Sequence, residues 1–193
     1  MNRPSAQRPV ASIVWRLDEY DSRDHARLHT LVEGARLCGN AVLAVDGRPT
    51  SIDYRVEIDR EWRTLGATIE VRSGASRPRA FEVIADDGHW RFDGVIDSAF
   101  DGCLDIDLGW TPATNLLPIR RHDLAIGESV VIDATWFRFP DLIFVRSSQR
   151  YTRLDQTTWR YESGDFARDL TVNDVGFVTA YGDDLWQAVA TTD

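Results

Sequence analysis

The chain contains no lysine: all 22 of its basic residues are arginines, set against 31 acidic ones, for a formal net charge of -9. Without lysine, Schiff-base chemistry by a side chain is excluded. The acidic balance argues against nucleic acid or an anionic membrane surface as the main partner, because both need a basic face. Cysteine is scarce, and Cys38 and Cys103 show no metal-ligand spacing, so two free thiols are expected rather than a disulfide or a metal site. No apolar run could span a bilayer, and residues 1–12, with Arg3, Arg8 and two prolines, lack the apolar stretch of a signal peptide. A cytoplasmic location without integral membrane association is expected. There is no Gly-x-Ser-x-Gly elbow, no Gly-rich phosphate loop, no dinucleotide fingerprint, and no His-x-x-x-His pair on a helical face that also carries a glutamate. No catalytic residue, cofactor or metal is assigned on that inventory.

What is present reads as one domain over residues 1–193, with 1–11 a loose N-terminal segment and enough chain to bury roughly 70% of its unfolded surface. Strand signals dominate. Ile13 to Leu17 is a short apolar run, and Asp18 to Arg27 is charged enough to predict a solvated loop or a short helical turn, with His25 at the surface. Leu37 to Val45 leads through the turn signal Asp46-Gly47 into Ile52, Tyr54, Val56 and Ile58, which alternate with polar residues. Leu65 to Val71 repeats the period, and Asp86-Asp87-Gly88 joins Phe81 and Val83 to Trp90 and Phe92. Val130 to Phe139 is apolar on both sides at its end, so it is covered on both faces or one face lines a cavity. Leu142 to Val145, Gln149 to Leu154, Thr158 to Tyr161, Phe166 to Val172 and Phe177 to Tyr181 are further short strands. Leu185, Trp186 and Val189 stand at helical spacing in a tail from Asp183 to Ala190. The cadence predicts a mainly β protein: one large, strongly curved antiparallel sheet, a β-roll or half-barrel, with at most one or two short helices.

The stretch from Gly102 to Arg121 breaks that cadence. Leu104, Ile106 and Leu108 alternate with Cys103, Asp105 and Asp107, a strand with one apolar side. Thr111-Pro112 and Leu117-Pro118 then push the residue before each proline out of the helical region, so an extended or turning backbone is expected up to Ile119-Arg120-Arg121. Asp105 and Asp107 share a face at roughly 6.5–7 Å. That separation suits an acid/base pair in glycoside hydrolysis, and it suits equally an ion-pair cluster with Arg120 and Arg121.

Gly-Cys-Leu-Asp-Ile-Asp-Leu-Gly followed by Thr-Pro-Ala-Thr-Asn-Leu-Leu-Pro-Ile-Arg-Arg resembles the signature of the glycolipid-binding family, a bacterial family once carried as a domain of unknown function. Supporting pieces are Asp24-His25, Ile52-Asp53-Tyr54, Asp59 with Trp62-Arg63, Phe139-Pro140, Gln149-Arg150-Tyr151-Thr152, Tyr161-Glu162-Ser163 and Asp174-Val175-Gly176. The resemblance implies a spiral β-roll similar to lipoprotein carriers, with an apolar hollow. Together with the surplus of aromatic residues it implies a non-enzymatic protein that binds an amphipathic small molecule, a glycolipid or other lipid-like ligand, on the concave face. Its acyl or ring carbon is expected against Tyr54, Trp136, Tyr151 and Trp159, and its polar part near Asp105, Asp107, Asn115, Arg120 and Arg121. Two alternatives stay open: a hydrolase of a glycosidic or ester bond through Asp105 and Asp107, and a structural or regulatory interaction domain without a small ligand.

Overall fold

The computed structural model describes residues 9–18, 21–183 and 185–192; most of the expected loose segment, residues 1–8, lies outside that range. The strands are β1 (Ala11–Leu17), β2 (Ser22–Leu31), β3 (Gly34–Val45), β4 (Arg48–Ile58), β5 (Thr64–Ser73), β6 (Arg79–Asp86), β7 (His89–Phe92) and β8 (Val95–Ile96), then β9 (Asp105–Leu108), β10 (Ser129–Arg138), β11 (Ile143–Arg153), β12 (Thr158–Ser163), β13 (Phe166–Val172), β14 (Val178–Tyr181) and β15 (Gln187–Thr192). They form one sheet of 15 strands in the order 8-7-6-5-4-3-2-1-15-14-13-12-11-10-9. It is two meanders joined where β1 pairs β15, antiparallel throughout except for the parallel pair β9 and β10.

That order dictates the curvature. The two edge strands, β8 and β9, are separated in sequence only by residues 97–104, a length that spans about 30 Å at most. In a flat sheet those edges would stand about 65 Å apart, at about 4.8 Å per strand. The sheet must therefore bend until its ends meet, and it does so without closing. Phe92 of β7 lies 4.4 Å from Phe144 of β11, and Phe81 of β6 lies 4.8 Å from Phe137 of β10, ring centre to ring centre. The Ile106 amide donates to Thr64 Oγ1 at 3.0 Å and the Thr64 amide to the Leu104 carbonyl at 2.9 Å.

The tight turns follow from their residues. Asp46 and Gly47, like Asp87 and Gly88, both take positive φ, the backbone that matches the twist of a two-residue hairpin. Alternation holds along β3 to β7, where Leu37, Ala41, Ile52, Val56, Ile69, Val83 and Trp90 are buried.

Four expectations are corrected. The expected loop or helical turn over Asp18 to Arg27, of which Glu19 and Tyr20 lie outside the described residues, gives way to strand from Ser22 onward, because β2 turns Ser22, Asp24, Ala26 and Leu28 inward while Arg23, His25 and Arg27 face out. The proline-rich stretch does coil: a 3₁₀ turn over Pro112–Asn115 runs into helix α1, Leu116–His122. Pro112 opens the first and Pro118 lies in the first turn of the second, where a missing N–H forfeits no bond within the helix. The tail is strand rather than helix, because β15 is needed to pair β1, and that pairing outweighs the helical spacing of Leu185, Trp186 and Val189. Leu142 to Val145 and Gln149 to Leu154, apart from Leu142 and Leu154 themselves, also merge into the single strand β11.

Candidate functional site

β9 sets the site. Its parallel register places Asp105 beside Ala134 and Asp107 beside Trp136 of β10. The chain then turns inward through Thr111, whose hydroxyl accepts from the Ala113 amide at 3.1 Å and starts the 3₁₀ turn. Thr114 Oγ1 accepts from the Leu108 amide at 3.1 Å, which ties the turn back to its own strand. Asn115 is buried: its Oδ1 accepts from the Tyr151 hydroxyl at 2.8 Å and its Nδ2 donates to the Pro112 carbonyl at 3.1 Å.

Beside this turn lies a cavity of about 410 Å³. Its wall is mostly aromatic and apolar, with Leu17, Trp136, Tyr161, Phe166, Tyr181 and Trp186, and its polar groups include Asp107, Thr111 and Asn115. Among the described residues no arginine or histidine lines it, although the Arg168 guanidinium lies 5.1 Å from the ring centre of Phe166.

The charged interior is lopsided. Asp24 and Asp105 are buried and Asp107 lines the cavity, and among the described residues Arg121 meets one of them, Asp105. Asp105 is locked to Arg121 through both carboxylate oxygens; burial pushes its carboxyl up and the guanidinium offsets only part of that push. Since guanidinium offers only donors, both oxygens accept and neither carries the proton. Asp107 has no cation partner among the described residues: Oδ2 accepts from Gln149 Nε2 at 2.7 Å and Oδ1 from the Thr114 hydroxyl at 3.5 Å, and burial pushes the carboxyl up to about 6 against those hydrogen bonds. Asp24 behaves likewise, pushed up to about 6 by burial although the Thr111 and Tyr54 hydroxyls both donate to Oδ2. Burial also holds the Tyr54, Tyr151 and Tyr181 hydroxyls well above their ordinary value, so they stay neutral donors.

The structure brings three of the nine expected site residues, Asp107, Asn115 and Trp136, to this cavity. Tyr54 and Tyr151 are packed in the core and anchored by their hydroxyls. Asp105 and Arg121 are spent on each other, so the two aspartates do not form a pair of free carboxylates. Arg120 and Trp159 face a second cleft at the other end of the helix. The aromatic surplus is largely interlocked, as in the Trp110 contacts with Tyr54 at 6.2 Å and Phe137 at 5.6 Å. Sequence reasoning missed Phe166, Tyr181, Leu185 and Trp186 as wall residues and Asp24 as an interior carboxylate. The last had a signal, since Ser22, Asp24, Ala26 and Leu28 alternate with four basic residues. Among the described residues no three His, Cys, Asp or Glu side chains converge on a metal-sized site, and no helix is long and apolar enough to cross a membrane.

An open, curled antiparallel sheet with an inward-folded helical turn and a lined cavity is the architecture of a β-roll. The family described as "Putative glycolipid-binding" matches residues 12–188, and the chain belongs to that family. A crystal structure of a DUF1089 family protein from Pseudomonas aeruginosa is similar, with 34% sequence identity, a TM-score of 0.76, and coverage of 85% of this chain and 91% of that one. No curated protein matches the chain.

Proposed function

We propose that the chain binds an amphipathic small molecule in the cavity beside Asp107, with the apolar part against Trp136, Phe166, Tyr181 and Trp186 and an uncharged hydroxyl-bearing head at Asp107. One observation carries this reading: a space of about 410 Å³ walled by aromatic rings and served by a carboxylate without a cation. Flat rings suit both acyl chains and the C–H faces of sugars, and a sugar hydroxyl donates where Asp107 can only accept. An anionic head at Asp107 would meet repulsion and lost hydration, because among the described residues no base lines the cavity and Arg168 sits on the Phe166 ring rather than beside Asp107. The head group thus belongs with Asp107 and Asn115, and Arg121 serves the scaffold. The family's description supports the same class of ligand.

The test is titration with three eight-carbon amphiphiles below their micelle concentrations, followed by calorimetry and tryptophan fluorescence at pH 7.5. n-Octyl glucoside is expected to bind saturably, octyl sulfate is not, and Trp136→Ala is expected to weaken the glucoside by about tenfold, the scale of a lost aromatic contact plus its buried area. Octylammonium reports whether a positive charge is preferred over hydroxyls at Asp107. Failure of all three amphiphiles to bind would remove the reading, and equal binding of glucoside and sulfate would remove its choice of head group.

A further inference from the structure

The second cleft, about 400 Å³, lies at the far end of the helix from Asp107 and is built from the β4–β5 loop, α1 and the turns that flank β12 and β13. Its base is Ile119, Trp159 and Val172 and its rim carries two arginines, each stacked on a tryptophan. The Arg120 guanidinium lies 4.8 Å from the Trp62 ring centre and that of Arg153 lies 5.7 Å from the Trp159 ring centre.

Several features fix Arg120 in place. Trp62 adopts φ 63, a left-handed backbone that a bulky residue takes only where its surroundings impose it. Asp59 imposes it: Oδ1 accepts from the amides of Glu61 and Arg63 at 2.9 and 2.8 Å, and the Asp59 carbonyl accepts from the Trp62 amide at 3.2 Å. On the other side Gly176, at φ 100, leaves room for the Arg120 stem; a Cβ there would stand 3.0 Å from Cδ and 3.2 Å from Cγ. The side chain is thus held with its guanidinium on an indole face and its stem against a bare backbone, and among the described residues no carboxylate lies within ion-pair distance of it. Arg153 differs, because its N–H groups go to the carbonyls of Leu124, Asp155 and Gln156. Arg153 Nη1 also stands 3.8 Å from an Asp123 carboxylate oxygen, so Arg153 is spent within the wall of the cleft while Arg120 contributes free donors.

We infer that this cleft is a binding site for a small monocarboxylate with an apolar or ring-shaped body, its carboxylate taken in the plane of the Arg120 guanidinium and its body lying on Ile119, Trp159 and Val172. A guanidinium whose face is stacked keeps its edge for two parallel hydrogen bonds, and a carboxylate matches that edge. Asp123 and Asp174 also line the cleft. They balance the two arginines, so a second negative charge on the ligand is opposed. The site stands apart from the cavity at Asp107 and does not depend on what that cavity holds.

The test uses the full chain and benzoate as probe, with benzamide and phthalate as neutral and doubly charged comparisons, followed by NMR of the indole N–H and arginine Nε–H groups. Benzoate is expected to shift the Trp62, Trp159 and Arg120 signals saturably and to leave Trp136 unmoved. Arg120→Gln, a change at an exposed side chain, is expected to weaken benzoate about tenfold or more, the scale of a lost charge-assisted pair of hydrogen bonds. Arg120→Lys is expected to recover only part, since an ammonium cannot pair in two points. Benzamide binding as well as benzoate, undiminished binding to the Arg120→Gln variant, or shifts at Trp136 instead of Trp62 would each overturn the inference.

Discussion

Asp105 and Arg121 form a two-point ion pair inside the roll, with side-chain exposures of 3% and 10%. The pair joins β9 to the end of α1, and Arg121 Nη1 also reaches the Trp62 carbonyl at 3.4 Å. It therefore holds the inward-folded segment against the β4–β5 loop, between the two clefts. Removing one partner leaves the other charged and buried, which costs about 3–5 kcal/mol, whereas replacing both by apolar residues is close to neutral. Arg121→Met is expected to lower unfolding free energy in urea by that amount, and Asp105→Leu/Arg121→Met to recover most of it. Equal loss in single and double variants would show that the pair is not the tie between β9 and α1.

The two carboxyls without a cation make stability depend on pH in the opposite sense from a surface salt bridge. Asp24 and Asp107 stand at about 6 in the folded chain against an ordinary 3.8. Between those values the folded chain holds protons that the unfolded chain has released. Their contribution is thus complete below about pH 4 and lost as pH rises through about 6, on the order of 3 kcal/mol for each group. Asp24→Asn keeps an acceptor for Tyr54 and Thr111 and carries no charge at any pH. Urea unfolding is expected to find it close to the native chain at pH 4.5 and more stable than it at pH 8. Parallel stability curves for the two proteins would contradict the assignment.

A third prediction concerns space rather than charge. A Cβ on Gly39 would stand 2.2 Å from Tyr54 Cζ and Oη, and Tyr54 cannot swing aside without breaking its 2.7 Å hydrogen bond to Asp24. Gly39→Ala is expected to cost about 1–3 kcal/mol, as overpacking does. The same change in a Tyr54→Leu background, where the ring is gone, is expected to cost less. Thermal unfolding of the four proteins checks it, and additive losses would show that the ring is not what forbids the methyl group.

The antiparallel sheet was legible because its apolar residues alternate and its hairpins carry Asp-Gly, two local signals that agree. β2 was not, since its inner face begins with Ser22 and Asp24 and its outer face is basic, so period two was hidden among polar residues. α1 was hidden by Pro112 and Pro118, which forbid a helix through them but not one that begins at them. Trp136 and Asp107 could be named from a strand apolar on both faces and from the Asp-x-Asp spacing. Trp186 and Tyr181 reach the same cavity from the far end of the chain, and only the pairing of β15 with β1 and β14 brings them there. Arginine chemistry was legible as a type, but which of the adjacent Arg120 and Arg121 is spent inside depends on the helix that the prolines concealed.

The fourth prediction follows from Asp107 at the cavity wall. A hydroxyl of a bound glucoside donates more strongly to a carboxylate than to a neutral carboxyl, by roughly 1 kcal/mol. A ligand that prefers the ionised form must lower the pKa from about 6 and release protons as it binds. Affinity for n-octyl glucoside is therefore expected to rise about fourfold between pH 5 and pH 7.5. At pH 6 the binding heat is expected to change with the ionisation enthalpy of the buffer. Asp107→Asn removes both effects while Gln149 and Thr114 still have an amide to bond. A pH dependence that survives in that variant would place the titrating group elsewhere, with Asp24 behind Thr111 the next carboxyl to substitute.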